Sequence, residues 1–197
     1  DGGIARANDV SGGSANATQG TSGNRPLRKV AALNGQDAAL FDGSDDVLSA
    51  GDVGDLLDKP IEVFSVHKRA SNTRGYPGIF GKYRVANNQG RWGVLRDKDL
   101  VKHLLAIADV SGGASTTVAG YAEHLNLELF HGYAHRTAGT NAATATAVKN
   151  ASASTTTSAY TADTASLNTT NLLLIGKLGD ASGGAGGISD LCFHGHI

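Results

Sequence analysis

The sequence predicts an all-β protein built from short strands around one hydrophobic core. The composition is rich in Gly, Ala, Ser, Thr and Asn, with 27 glycines, and Glu, Lys and Leu rarely recur at helical spacing, which disfavours long helices. Apolar and polar side chains alternate from Leu125 to Tyr133, which is the period of a strand and predicts a central one. A chain of 197 residues has the length of one large domain.

Turn residues divide the rest of the chain into short strands. Residues 30–42 hold two apolar runs around Asn34-Gly35, a dipeptide suited to a tight hairpin turn. The run after Pro60 has apolar side chains on both faces, which indicates a strand covered on each side. Outside the hairpin, strands are predicted at 61–68, 78–85, 91–96, 100–110, 172–178 and 188–197. The 100–110 pattern fits a helical face about as well, and its neighbours favour the strand.

Two stretches lack the apolar residues of a core strand. Residues 1–24 are mostly Gly, Ser, Asn and Thr, so we expect a flexible N-terminal arm that orders only against a neighbour, followed by a folded domain over 25–197. Residues 138–170 form an Ala/Thr/Ser/Asn tract. We interpret this tract as thin edge strands and long surface loops; the alternative is a polar Thr/Asn face presented to a ligand or partner subunit.

The charge balance limits the classes of partner that the chain can bind, and the cysteine count limits its disulfides. Lys and Arg total 17 against 18 Asp and Glu, so no net field holds the chain to nucleic acid or to an anionic membrane. The single cysteine, Cys192, cannot form an internal disulfide. No apolar stretch reaches the ~18 residues of a spanning helix, and no signal-peptide pattern is present. Because the chain has no methionine and begins at Asp1, we expect a processed start or a longer polypeptide upstream.

Five segments, taken together, resemble the signature segments of concanavalin A-like, laminin-G-like domains. They are residues 10–26, 34–48, 78–82, 171–180 and 187–195, and they cover nearly the whole chain from residue 10 onward. The resemblance implies a two-sheet antiparallel β-sandwich, a jelly roll, in which the first strand (38–41) lies beside the last (191–197). Such domains recur in phage virion proteins and in bacterial surface proteins.

An acidic turn is the candidate metal site. Asp42, Asp45 and Asp46 cluster around a glycine, and carboxylate oxygens are the ligands that calcium prefers. The alternative is a structural turn in which Asp42 and Asp45 accept backbone N–H bonds. Asp180 is a second candidate for the same ion. The resemblance adds that many members of the family use calcium.

Aromatic side chains are the candidate glycan contacts, because sugar-binding sites combine an aromatic platform with hydrogen-bonding side chains. The candidates are Tyr76, Tyr83 and Trp92, and the alternative place for Trp92 is in or beside the core. Cys192, His194 and His196 fall on one face of the last strand. Alternate strand residues are about 6.6 Å apart, so these three cannot share one ion, and we expect neutral, hydrogen-bonded surface histidines there and at His131.

The acidic residues do not match a glycosidase. The laminarinase-type glucanases, which are hydrolase relatives of the resembled family, place carboxylates at alternate positions on one strand. Here Glu123 and Glu128 are five positions apart and point to opposite faces of any strand, and Glu62 has no carboxylate two residues away. We therefore expect a protein that is not an enzyme.

The resemblance and the composition together predict a structural role on a particle surface. The leading hypothesis is a virion component: a capsid-decorating, head-fibre or tail-fibre domain. It attaches to other virion proteins and to itself as a homo-oligomer, and a homotrimer suits this role. Its loops are displayed toward host glycans. The alternative is a lectin module that is secreted or displayed on a bacterial cell surface. A glycosidase is the third hypothesis.

Overall fold

A computed structural model describes most of the chain in segments. The described residues are 2–33, 35–54, 60–69, 78–82, 91–97, 102–108, 116–122, 128–136, 142–149, 152–159, 172–177 and 191–194. Across these segments every strand pairing is antiparallel, and the one helical element is a 3-10 turn at Ser22–Asn24. The prediction of an all-β protein is confirmed.

The described strands form two sheets. In chain order they are β1 (Arg6–Ala7), β2 (Ala17–Thr18), β3 (Leu27–Leu33), β4 (Gln36–Leu40), β5 (Leu48–Ser49), β6 (Ile61–Arg69), β7 (Gly78–Lys82), β8 (Arg91–Asp97), β9 (Lys102–Ala108), β10 (Thr116–Ala122), β11 (Glu128–Arg136), β12 (Ala142–Lys149), β13 (Ser152–Ala159), β14 (Leu174–Ile175) and β15 (Leu191–His194). The eight-stranded sheet has the order β1-β2-β5-β14-β7-β8-β9-β10, and the seven-stranded sheet has the order β13-β12-β11-β6-β15-β4-β3.

Most predicted strands are present where the turn residues placed them. β3 and β4 form a hairpin in which Leu33 pairs with Gln36 across the predicted turn. The ambiguous 100–110 segment is the strand β9, and β11 lies between two neighbours as a central strand should. Within the described residues 172–177, Leu174–Ile175 form a strand. Of the low-complexity tract, β13 is an edge strand as interpreted, whereas β12 is an inner strand.

The first and last strands of the expected jelly roll lie side by side. β15 sits between β4 and β6, with Cys192 opposite Leu40 and Phe193 opposite Ala39. This pairing joins residues more than 150 positions apart, so it is a tertiary contact that no local pattern produces. The expected pairing of 38–41 with 191–197 is confirmed for the described residues.

One hydrophobic cluster takes side chains from both sheets. The seven-stranded sheet contributes Val63, Phe130, Ala145 and Ala147, and the eight-stranded sheet contributes Ala17, Leu48, Ile79, Phe80, Trp92, Val94 and Ile175. Residues opposite each other in an antiparallel pair share a face, and Gly132 lies opposite both Val63 and Ala147. The inner face of β6, β11 and β12 is therefore continuous, and it carries the small residues that close packing requires.

The predicted double coverage of β6 is wrong. Val63, Ser65 and His67 are buried, whereas Phe64 is 50% exposed and Lys68 is exposed. The buried face accepts two polar side chains because Ser65 Oγ and His67 Nδ1 lie 3.2 Å apart and share a hydrogen bond, which offsets the cost of removing them from water. An apolar side chain in a strand does not by itself show that its face is covered.

The N-terminal segment connects the edges of the two sheets. Gly3 bridges to Leu27 of β3, and the Ile4 amide donates to the Pro26 carbonyl at 2.8 Å. A few residues later the segment becomes β1, which pairs with β2, and Ala17 of β2 is buried. The segment expected as an arm thus has partners within its own chain, and its flexibility stays a prediction.

Candidate functional site

The acidic turn follows directly from the end of β4. Phe41 is 1% exposed and belongs to the core, and in the turn after it Asp42 and Asp45 are exposed whereas Asp46 is buried. Asp42 Oδ1 accepts the amide of Ser44 at 2.7 Å, and Asp46 Oδ2 accepts the amide of Asp42 at 2.9 Å. One carboxylate oxygen from each of Asp42, Asp45 and Asp46 lies within 4.8 Å of the others.

The electrostatics of this turn suit a cation. Asp46 is only 4% exposed, and burial raises its pKa, with the charges of Asp42 and Asp45 adding to the rise and the hydrogen bond from the Asp42 amide opposing it. Carboxylate oxygens fit a hard cation, although calcium takes 6–8 oxygens and further ligands would have to come from backbone or solvent. The turn predicted as the alternative is present in part, because Asp42 accepts the amides of Ser44 and Asp45, whereas the second acceptor is Asp46 and not Asp45. Asp180 lies outside the described residues.

Of the three candidate glycan aromatics, Trp92 is the one within the described residues, and it is buried. Trp92 is 2% exposed, its indole N–H donates to the Gly54 carbonyl at 2.8 Å, and its ring meets the Phe80 ring edge to face at a centroid distance of 6.1 Å. Trp92 thus occupies the core position that the sequence offered as the alternative. Tyr76 and Tyr83 lie outside the described residues.

A different set of side chains forms an exposed patch on the outer face of β6 and β11. Three of them are large and exposed: Phe64 at 50%, Leu129 at 57% and Tyr133 at 36%. The register places Tyr133 opposite Glu62, His131 opposite Phe64 and Leu129 opposite Val66. We call these six residues the outer-face patch. Along the strands its three rows span about 13 Å.

The middle of the outer-face patch is held in one arrangement. The His131 ring stacks on the Phe64 ring at a centroid distance of 4.3 Å and an interplanar angle of 10°. Its Nε2 lies 2.7 Å from Glu62 Oε1, within hydrogen-bonding distance. The hydrogen bond predicted for His131 is confirmed, and its neutral charge state stays a prediction. The arrangement combines an apolar surface with a carboxylate and an imidazole.

Sequence reasoning missed this patch, although a signal for it was present. Glu62 and Lys68 stand at even positions of β6 together with Phe64 and Val66, and charged residues at both ends of one strand face indicate exposure. The patch also needs β11, which contributes Leu129, and only the pairing of β6 with β11 brings the two strands together.

A second polar pair, Ser65 and His67, has the chemical groups of a nucleophile and a base, but both side chains are buried. Ser65 Oγ and His67 Nδ1 share a hydrogen bond, which is the contact that activates a serine in hydrolases. Ser65 is 1% exposed and His67 is 0% exposed, so no substrate reaches the hydroxyl in this structure. The hydrogen bond satisfies two polar groups of the core.

The remaining candidates lie apart or outside the described residues. Cys192 and His194 belong to β15, between β4 and β6, whereas His196 and Glu123 are outside the described part of the chain. Glu128 begins β11. Among the described residues no helix has the length and hydropathy needed to cross a bilayer.

Comparisons with known proteins do not identify a family. No protein-family model matches the chain, and no curated protein matches it. The resemblance to concanavalin A-like domains therefore stays a prediction, and what stands is an all-β antiparallel protein with two sheets.

Proposed function

We propose that this chain is a non-enzymatic structural module of a virion surface, with a jelly-roll sandwich of the concanavalin A-like kind. It decorates a capsid or forms part of a head or tail fibre, and it attaches to its neighbours through the outer-face patch. Two features support the sandwich. One hydrophobic cluster joins both sheets, and β10 of one sheet lies within 8 Å of β12 and β13 of the other.

The observation that carries the attachment role is the exposure of Phe64, Leu129 and Tyr133 in adjacent rows. Contiguous exposed apolar surface on a soluble protein marks an interaction site. Covering these half-exposed side chains gains about 1 kcal/mol each. That total is below the ~4 kcal/mol or more that association costs, so one patch cannot hold a lone pair of molecules. Many copies held on one particle, or a ring of three, overcome this cost by multivalency.

The test is whether the oligomeric state of the chain changes when the outer-face patch is altered. Because the gain from one patch is small, we expect analytical ultracentrifugation to show oligomers, with a trimer dominant, only at the upper end of a concentration series that reaches about 1 mM. Phe64→Ser should shift the population to monomer. Val30→Ser is the matched control, because Val30 is 67% exposed on β3 and lies outside the patch. A protein that stays monomeric in this range and does not bind the particle contradicts the proposal.

A second candidate function, a secreted or cell-surface lectin, is favoured by one observation. Glu62 and His131 form a hydrogen-bonding pair at 2.7 Å directly beside the Phe64 ring, and sugar sites combine such groups with aromatic surfaces. Binding on a glycan array that is lost in Glu62→Gln, without any particle association, would replace the first proposal with this one. Release of reducing sugar from a β-glucan would instead indicate the third hypothesis, a glycosidase.

Calcium binding at the acidic turn is proposed with the same module. The three carboxylates of Asp42, Asp45 and Asp46 lie close enough to share one ion. The ion would favour the ionised form of Asp46, whose pKa is raised by burial and, to a smaller extent, by the charges of Asp42 and Asp45.

A further inference from the structure

A cavity of about 900 Å³ lies beneath the N-terminal segment. The segment from Gly2 to Ala17 covers one side, β4 and Phe41 form the second, and residues of β5, β14 and the 50–54 loop form the third. Protein interiors are packed at the density of organic crystals and leave few voids larger than a water molecule. A cavity of this size falls in the range of small-molecule sites, roughly 300–1,000 Å³.

The cavity exists because its walls carry small side chains. Six alanines and three glycines line it, namely Ala7, Ala15, Ala17, Ala38, Ala39, Ala50, Gly2, Gly3 and Gly54. Larger apolar residues, including Ile4 and Leu173, complete the wall. The lining is therefore mainly apolar, and polar side chains are confined to a few places.

The charged groups at the cavity cancel one another. Arg28 and Asp37 form an ion pair in which Arg28 Nε donates to Asp37 Oδ2 at 2.8 Å. Asp9 accepts the Ser11 amide at 2.8 Å and hydroxyl at 2.6 Å, and the Ala15 amide at 3.2 Å. These bonds, with the Ser11 hydroxyl first, lower the pKa of Asp9. With Arg6 as the remaining charged lining residue, two cations face two carboxylates, and no net field selects an ion.

The segment over the cavity is joined to the rest of the chain by a few backbone hydrogen bonds near its start and by the short pairing of β1 with β2. Backbone hydrogen bonds join Gly2 to Arg28 at 3.1 Å and Ile4 to Pro26 at 2.8 Å at one end, and Ala5 to Gln19 at 2.9 Å beyond it. β1 spans two residues. The cavity is partly open to solvent, which provides an entry path.

We propose that this cavity is a binding site for one uncharged, largely apolar small molecule. This proposal is independent of the outer-face patch, which lies on the outer face of the seven-stranded sheet. The probe is N-phenyl-1-naphthylamine, an uncharged aromatic amine that fluoresces in apolar surroundings. We expect saturable binding to the whole chain with one site per chain by fluorescence and calorimetry.

Cavity-filling variants locate the site. Ala7→Phe and Ala50→Phe place a ring in the cavity from two of its sides, and each should weaken probe binding at least about tenfold. Ala5→Phe is the matched control, because Ala5 lies on the same segment, is exposed and does not line the cavity. It should leave binding unchanged. Circular dichroism and thermal melts of each variant separate loss of the site from loss of the fold.

Three outcomes would overturn the proposal. One is no saturable binding by the unmodified chain. Another is unchanged binding in both cavity-filling variants when both are folded. The last is binding that is lost in Phe64→Ser, since this result would move the probe to the outer-face patch. Probe binding that is retained in Phe64→Ser and lost in Ala7→Phe and Ala50→Phe supports the cavity as the site. This result does not bear on the attachment role of the outer-face patch, which the oligomeric state tests separately.

Discussion

Gly176 packs against the ring of Phe41, the residue that precedes the acidic turn. We expect a methyl group added at Gly176 to disrupt this packing. Gly176 has φ +84°, its amide donates to the Ile79 carbonyl at 2.8 Å, and a Cβ built on it would lie 3.0 Å from Phe41 Cγ and nearer still to Cδ1 and Cε1. Phe41 is 1% exposed, so its ring is packed on all sides except the one that borders the cavity. Gly176→Ala therefore imposes both backbone strain and overpacking.

The two costs can be estimated separately. An L-residue in the left-handed region costs about 1 kcal/mol, and forcing a methyl group into a packed core costs about 1–3 kcal/mol. We expect Gly176→Ala to lower the free energy of unfolding by about 2–4 kcal/mol. For a chain of this length each kcal/mol corresponds to about 2–4 °C in Tm.

Gly51→Ala is the matched control. Gly51 has φ +79°, and a Cβ there meets nothing within 4 Å, so this variant carries only the backbone cost of about 1 kcal/mol. Both variants lose the same unfolded-state entropy of glycine, which cancels in the comparison. The assay is urea unfolding followed by circular dichroism and fluorescence, repeated for Gly176→Ala with Phe41→Leu. Equal losses in the two alanine variants, or no rescue by the smaller residue, would refute the proposed steric clash.

Three further predictions concern charged groups. Asp52→Asn removes a partner that lies 2.6 Å from the fully buried Lys82 ammonium; it should cost about 1–2 kcal/mol because Asp52 is itself half-exposed, while Lys82→Met should be neutral or stabilising in urea unfolding. Burial raises the pKa of Asp46 above its unfolded value, so the ionisation of Asp46 lowers the free energy of unfolding as pH rises through that pKa. The free energy of unfolding of Asp46→Asn, relative to that of the unmodified chain, should therefore increase between pH about 4 and 7. A decrease over this range would contradict the raised pKa. Calcium at about 5 mM should raise the Tm of the unmodified chain but not that of Asp45→Asn. Equal shifts in Tm for the two proteins would contradict a calcium site at the acidic turn.

The location of the strands was largely predictable because the signals for strands are local. Turn residues around Gly35 and the start after Pro60 placed the β3–β4 hairpin and β6. The alternation near Tyr133 identified β11 as a strand between two others. These signals act within a few residues, where backbone dihedral preferences and side-chain period decide the outcome.

The candidate sites were less predictable because burial depends on distant partners. The acidic turn was found because its three carboxylates are neighbours in the sequence. Phe64 was assigned to a covered face, yet it is exposed beside His131. The charged residues Glu62 and Lys68 on the same face were the local sign of this exposure.

Local pattern alone predicted that this chain folds into short strands, where several of them lie and where its carboxylates cluster, but it predicted no strand at β10. The tertiary structure decided which face of β6 is exposed, that β6 and β11 share an outer-face patch, and that the N-terminal segment covers a cavity. The physical reason is that each of these features is set by contacts between residues tens of positions apart, through the packing of both sheets on one core.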